Sequence, residues 1–427
     1  MRLLLVAFYF PPAGGGGVQR TLKFCRHLAD LGVEVHVLAP SDPKWFARDE
    51  PLLEQIPETT RVHRSRFVGP ASTFRADAVG GRTGLSRIGA EIRYTSSLLL
   101  VPDKTLPWAL TAVPAGIRIV RDEKIDVVMS TSPPASVHLV AEAISACTRR
   151  PFVADFRDSW LDNPHRTYDR LSVRAKRAVN SRMARSVGRR SSAMVAATGA
   201  IAQELGHLAP SAAAKTTVIE NGADFDEFAA LTPIKDDRFT IVHAGSFFGA
   251  RSPRPFLEAL RAVLERRPEL QGRVRTRFLG DLRPEDRAWA GGLGIDDAWE
   301  EDGFVPHRDS LTAQRSADAL LLLIPHADGR GDTVLSGKVF EYIASGRPIL
   351  AAVPPDGVAA NLLRSVGAGE VADSDDVPGI ADALERLIGR WEDGGLPDID
   401  YPQDVQDRLS RRSRARDLAT VLTGVTA

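Results

Sequence analysis

Short, wholly apolar runs alternate with helix-periodic segments along the chain, the pattern of parallel sheets built from βαβ units. Residues 3–8 read as a buried strand, followed by the loop Pro11-Pro12-Ala13-Gly14-Gly15-Gly16-Gly17. A helix comes next, with Val18, Leu22, Cys25 and Ala29 on one face and a stop at Gly32. The second strand is expected at 33–38, and runs of the same character at 125–129, 151–154, 193–197 and 217–219 complete one doubly wound domain. After Asn221-Gly222-Ala223-Asp224 the pattern restarts with a strand at 239–244, a glycine-containing loop at 245–252 and a helix at 253–266. Further strands are expected at 276–280, 319–324 and 348–353. The predicted division is therefore 1–228, 235–404, and a terminal helix 405–427 that is charged at its start, apolar at its end, and expected to return to the first domain. The fold class is α/β, with two facing Rossmann-like doubly wound domains and a ligand cleft at the carboxyl ends of their strands.

Composition sets outer bounds on this picture. The chain has 427 residues, 43% apolar and 26% charged, enough for two cores in domains of roughly 200 residues each. Lys plus Arg equals Asp plus Glu at 55 each, so no global field selects nucleic acid or anionic lipid. Cys25 and Cys147 sit in helix-like apolar surroundings and read as buried thiols rather than a disulfide or metal pair. A reducing cytoplasm is the expected setting. The opening apolar run is too short for a signal peptide or a span, and no other segment reads as one.

The stretch 331–348 carries the most chemistry. A polar, glycine-broken loop (Gly331-Asp-Thr-Val-Leu-Ser-Gly337) runs into a helix start, where free amide groups and the positive end of the helix dipole favour an anion. Lys338 adds a full positive charge, and Glu341, one turn on, is placed to accept hydrogen bonds from the two neighbouring hydroxyls of a ribose. Phosphate plus ribose means a nucleotide. Gly346 suits a left-handed cap and Pro348 blocks continuation, so the helix is short.

The four-glycine loop invites a dinucleotide reading, but the third glycine of that fingerprint would fall on Gln19 or Arg20. The second strand also ends Leu38-Ala-Pro-Ser41 without an acid, so no nicotinamide or flavin cofactor is expected. Without side chains, Gly16 and Gly17 instead let backbone approach a sugar diphosphate, unless the loop is simply a tight turn. Asp155, Arg157 and Asp158 follow a buried run at a strand's carboxyl end, where an aspartate would orient or deprotonate an acceptor hydroxyl and the arginine would meet an anionic acceptor or the diphosphate. The rival reading is an internal ion pair that shapes the loop.

From Arg170 to Arg190 there are eight basic residues and no acidic one, which suits peripheral contact with an anionic membrane. Its apolar face, Leu171, Ala175, Val179, Met183 and Val187, favours the plainer reading of ordinary core packing. Asp224-Phe-Asp226 and Asp398-Ile-Asp400 match a metal-binding Asp-x-Asp pattern, but matches this short arise by chance and no metal site is assigned.

Taken together, Tyr9-Phe-Pro-Pro-Ala-Gly-Gly-Gly-Gly-Val-Gln-Arg20, Asp155-Phe-Arg-Asp158, Asn221-Gly-Ala-Asp224, Gly245 through Arg251 and Lys338 through Pro348 resemble the family 4 glycosyltransferases of GT-B fold. The motifs follow the family's order over nearly the whole chain. The resemblance implies metal-independent transfer of a sugar from a nucleotide diphosphate to a hydroxyl acceptor, with retention at the anomeric carbon and no cofactor. It implies that Arg251 and Lys338 stabilise the leaving diphosphate. Gly16, Gly17, Gly245, Ser246, Thr333, Val334, Leu335, Ser336 and Glu341 are the implied donor contacts. Asp155 and Arg157 are the acceptor contacts, and Asp158 is the catalytic carboxylate. If configuration is retained, the leaving phosphate oxygen is itself able to take the acceptor proton.

Two positions depart from the family pattern. Ser246 replaces a basic residue of the phosphate clamp, for which Arg254 or Arg20 are candidate substitutes. Thr333 replaces a glutamate that contacts the sugar, and Asp332 or the backbone of 333–336 would take over. A nucleotide-sugar epimerase or phosphorylase on the same plan remains the alternative, as does a non-catalytic nucleotide-sugar-binding protein.

Overall fold

The computed structural model describes residues 1–45, 47–69, 100–160 and 171–427, with side chains from residue 177 onward in the last of these stretches. The chain forms two compact units, one made of the described residues up to Glu220 together with Arg414–Ala427, the other running from Asn221 to Ser413.

The first unit holds β1 (Arg2–Ala7), β2 (Glu34–Ser41), β3 (Arg61–Arg66), β4 (Val127–Ser132), β5 (Phe152–Phe156), β6 (Ala193–Ala196) and β7 (Thr216–Val218). They make one sheet in the order β3-β2-β1-β4-β5-β6-β7, parallel throughout. In β1, Leu4 and Val6 join one buried cluster while Leu3, Leu5 and Ala7 join another. Both faces are covered, which is why this strand reads as a continuous apolar run. The second cluster takes Ala415, Leu418 and Leu422 from the helix Arg411–Thr426. Strand β3 was not foreseen. Its sequence Arg-Val-His-Arg-Ser-Arg is that of an edge strand open to water, without an apolar run.

The second unit holds β8 (Phe239–Ala244), β9 (Val274–Leu279), β10 (Trp299–Glu301), β11 (Ala319–Leu323), β12 (Ile349–Ala352) and β13 (Gly369–Ala372), in the order β10-β9-β8-β11-β12-β13. This sheet is also parallel. Again the two short edge strands, β10 and β13, escape a reading based on apolar runs. In each sheet the winding reverses beside the first strand, between β1 and β4 and between β8 and β11. Such reversals open a crevice at the strands' carboxyl ends. The single helix expected near the terminus is two, Gln403–Leu409 and Arg411–Thr426, broken at Ser410.

Both cysteines are free, but only Cys25 is buried, its thiol pushed up to about 12 by burial. The expectation of a second buried thiol is corrected at Cys147, which lies exposed near the end of the helix Ser136–Thr148. No helix among the described residues is long and apolar enough to cross a membrane.

Candidate functional site

At the reversal of the second sheet, β8 ends in Ala244 and the chain turns through Gly245 at φ +120°. On the other side of the reversal, the loop after β11 leads to a one-turn helix Arg330–Thr333 and then to the helix Gly337–Ala344. Gly331 allows that loop to close, because a Cβ there would run into the carbonyls of Pro325 and His326. The helix starts without a side-chain cap; the Val339 amide donates to the Ser336 carbonyl at 3.2 Å, and the Gly337 and Lys338 amides, with no acceptor among the described residues, are left for a ligand or water. Ser336 Oγ, at the cap position, is buried and has no hydrogen-bond partner among the described residues. Gly346 takes a left-handed turn at φ +70° just past the helix, as its position in the sequence requires.

Lys338 leans from the first turn of this helix over Gly245. A Cβ on Gly245 would lie 2.7 Å from Lys338 Cε, so glycine is what makes room for the amine. Among the described residues, neither the buried Lys338 Nζ nor the buried Arg251 Nε has a hydrogen-bond partner. Burial pushes the Lys338 amine well below its usual range, and the nearby Arg251 charge pushes it further. Burial likewise lowers the Arg251 guanidinium, which stacks 5.4 Å from the Phe248 ring centre. His243, on β8, is held neutral by burial and by the same two cations, with Nδ1 2.8 Å from the Leu321 carbonyl. Two basic side chains set side by side next to a helix start, each with a buried nitrogen that has no hydrogen-bond partner among the described residues, are arranged to receive an anion.

Glu341 lies on the same helix and is ion-paired through Oε1 with Arg411 at 3.2 Å. Beside it, the buried Tyr342 hydroxyl accepts a hydrogen bond of 2.8 Å from the Ala244 amide. Neither Arg411 nor Tyr342 was singled out from sequence. The signal for Tyr342 is its place inside the apolar face of the helix. Arg411 carries none, since in Arg411-Arg412-Ser413-Arg414 it reads as one of several solvated charges.

The remaining donor positions are arrayed around this centre. Ser246 Oγ accepts from the Asp281 amide at 3.2 Å, tying the loop after β8 to that after β9. The exposed Thr333 hydroxyl donates to the Arg330 carbonyl at 3.1 Å, and Val334 and Leu335 pack partly buried on the core. Asp332 is exposed on the same turn. Neither proposed substitute for the missing basic residue is free. Arg20 is buried and gives its hydrogen bonds to Asp155 and to the carbonyls of Ile219 and Glu220. Arg254 is paired with the fully buried Asp286 at 2.6 Å. Asp398 is bound by Arg315 and Arg347, which hold its carboxyl at about 2, so the second Asp-x-Asp pair begins in an ion-pair anchor. Asp224, from the first such pair, lies 3.5 Å from Arg411.

In the first unit, Gly16 and Gly17 open the helix Gly16–Asp30 behind Gly15 at φ +90°. Arg157 donates 2.6 Å hydrogen bonds to the Gly17 and Ser132 carbonyls, joining the ends of β1, β4 and β5 around that helix start. Asp155 is fully buried, held by Arg20 at 2.9 Å and by the Thr131 hydroxyl at 2.7 Å. Its oxygens are consumed inside the protein, so it shapes the strand end and is not placed to touch an acceptor. The ion pair raised as a rival reading exists, with Arg20 rather than Arg157 as the partner. Asp158 stands exposed at the same strand end.

In the helix Leu171–Arg190, Arg170 and the side chains of Leu171 through Lys176 lie outside the described residues. In the part that is described, Arg177, Arg182, Arg185, Arg189 and Arg190 are exposed while Ala184 and Val187 are buried.

The family model described as Glycosyltransferase Family 4 matches residues 14–227. No curated protein matches the chain in sequence. Among solved structures, HepE from Anabaena in complex with UDP is similar at 15% identity, with a TM-score of 0.62 over 99% of this chain and 100% of that one. A glycosyltransferase from Rickettsia africae is similar at 14% identity, TM-score 0.63, over 99% and 98%. The UDP-GlcNAc 2-epimerase of Methanocaldococcus jannaschii is similar at 12% identity, TM-score 0.53, over 99% of each chain. The two parallel sheets with their central reversals are those of the GT-B plan. The chain belongs to Glycosyltransferase Family 4 and is a nucleotide-sugar glycosyltransferase of GT-B fold.

Proposed function

We propose that this enzyme transfers a sugar from a nucleoside-diphosphate donor to a hydroxyl acceptor with retention, using Lys338 and Arg251 in place of a metal ion. The observation that carries this reading is the pair of buried nitrogens, Lys338 Nζ and Arg251 Nε, that have no hydrogen-bond partner among the described residues and lie beside a helix start without a side-chain cap. Holding two basic groups dry and adjacent disfavours their charged forms. A diphosphate recovers that cost on binding, and recovers more as the glycosyl-phosphate bond breaks and charge builds on the leaving group. Glu341 Oε2 makes no hydrogen bond among the described residues, and we assign it to the ribose hydroxyls.

On the acceptor side, Asp158 is the exposed carboxylate that meets the attacking hydroxyl, with Arg157 fixing the loop around it. Retention by a front-side route needs no protein base, since a leaving phosphate oxygen takes the proton. The acceptor is a glycan, a lipid-linked intermediate or a small molecule. The row of exposed arginines on the helix Leu171–Arg190 supports docking on the anionic cytoplasmic face of a membrane. Sedimentation with phosphatidylglycerol vesicles, against phosphatidylcholine controls, tests that placement.

HepE holds UDP, so UDP is the first probe, with ADP and GDP beside it. A bound diphosphate should raise the melting temperature in proportion to its affinity. Label from the matching nucleotide sugar should then move to a second molecule, whereas an epimerase would return it on the donor. If no diphosphate stabilises the protein, or if Lys338→Ala binds as well as the parent, the reading is wrong.

A further inference from the structure

We propose that Arg411 is a positioning residue for the ribose contact, holding the Glu341 carboxylate in place from the segment where the chain leaves the second unit. The inference rests on the assignment of Glu341 to the ribose.

Three observations converge on Arg411. It is buried, and its guanidinium spans two carboxylates, Glu341 at 3.2 Å and Asp224 at 3.5 Å. Its backbone is fixed as firmly as its side chain. The Arg411 amide donates to the Ala223 carbonyl at 3.0 Å, and the Ala223 amide donates to the Leu409 carbonyl at 3.0 Å. The segment that enters the unit and the segment that leaves it therefore run side by side as a short parallel bridge. Gly222 permits this approach, because a Cβ there would lie 2.8 Å from the Leu409 carbonyl oxygen.

The Asn221-Gly-Ala-Asp224 motif thus has a physical task. Its glycine lets the two segments touch, and its aspartate sets a second negative charge 3.5 Å from the arginine that holds Glu341, an ion-pair contact without a hydrogen bond. A planar guanidinium with one carboxylate on each arm leaves Glu341 few rotamers. Oε1 is committed to Arg411, and Oε2 stays available for the nucleoside. Without the guanidinium, two carboxylates that shared one cation repel, and Glu341 loses its fixed direction.

The test separates the ribose from the phosphates. Calorimetric titration measures the affinity of the tightest of UDP, ADP and GDP and of its 2′,3′-dideoxy counterpart. The parent protein should prefer the ribose form by roughly tenfold or more, the worth of a hydrogen bond to a charged group. In Arg411→Met that preference should fall toward unity while the dideoxy affinity stays within about twofold, since the phosphate clamp is untouched. Arg411→Lys, which keeps the charge and loses the fork, should fall between them and also serves if Arg411→Met does not fold. A parent-like preference in both variants overturns the proposal. So does an equal loss for both ligands, the signature of a merely structural arginine. A parent protein that binds a nucleoside diphosphate but does not distinguish it from its dideoxy form would instead sink the Glu341 assignment itself.

Discussion

Lys338 shows how a single residue trades stability for chemistry. Its amine ordinarily titrates near 10.5 but is pushed well below that by burial and by Arg251. Between the lowered folded value and 10.5, the unfolded chain holds a proton that the folded protein does not. Stability of the free protein should therefore rise with pH across that window, as far as this group is concerned. Lys338→Met should remove this rise and stabilise the free protein by about 1–2 kcal/mol, read from melting curves at pH 7 and above. The same variant should weaken nucleoside-diphosphate binding by about 10–100-fold, because a charged hydrogen bond is lost. In the parent, a diphosphate draws a proton onto the amine. Calorimetry in buffers of different ionisation heat should register proton uptake, and affinity should fall as pH rises. Gly245→Ala is expected to cost about 1–3 kcal/mol for its left-handed backbone alone and, by crowding Lys338 Cε, to abolish diphosphate binding.

Elements place these residues, and their joints are testable in the same way. The helix Gly337–Ala344 is anchored to the end of β8 by the Tyr342 hydroxyl under the Ala244 amide. Tyr342→Phe leaves that buried amide without an acceptor and should cost about 1–3 kcal/mol in urea unfolding. The end of β5 is anchored by the buried Arg20–Asp155 pair. Asp155→Ala strands a buried guanidinium and should destabilise the protein by about 3–5 kcal/mol. Nucleoside-diphosphate binding should survive it under folded conditions, because Lys338, Arg251 and Glu341 all belong to the second unit. Loss of binding in a folded Asp155→Ala protein would contradict this separation of roles.

On the scale of the whole molecule, the equality of 55 basic and 55 acidic residues leaves a formal net charge of zero and a pI near 7.2. Little long-range repulsion then keeps copies apart near neutrality. Solubility in polyethylene glycol should pass through a minimum close to pH 7 and recover on either side. A minimum displaced by two pH units or more would mean that the buried, shifted groups dominate the net charge. The two units share one plan, a parallel sheet whose winding reverses beside its first strand, yet they use the crevice differently. In the first, Arg157 spends its hydrogen bonds on closing loops. In the second, Lys338 Nζ and Arg251 Nε make none among the described residues.

The apolar runs at β1, β8, β11 and β12 were legible because both faces of these central strands are buried. The start of the donor helix was legible too, since glycine, lysine and the Gly346–Pro348 stop act locally. The edge strands β3, β10 and β13 were not, because water on one side removes the pattern that marks a strand. Charged residues were the hardest to place. Arg20, Arg254 and Arg251 look alike along the chain, and only folding decides that the first two meet Asp155 and Asp286 while the third meets no carboxylate among the described residues. Sequence by itself determined the layers and the loops at which chemistry gathers, because burial and turn geometry are local. Which cations remain free for a ligand, and that Arg411 stands against Glu341, was decided by tertiary structure alone, since a charge's partner is set by distance in space.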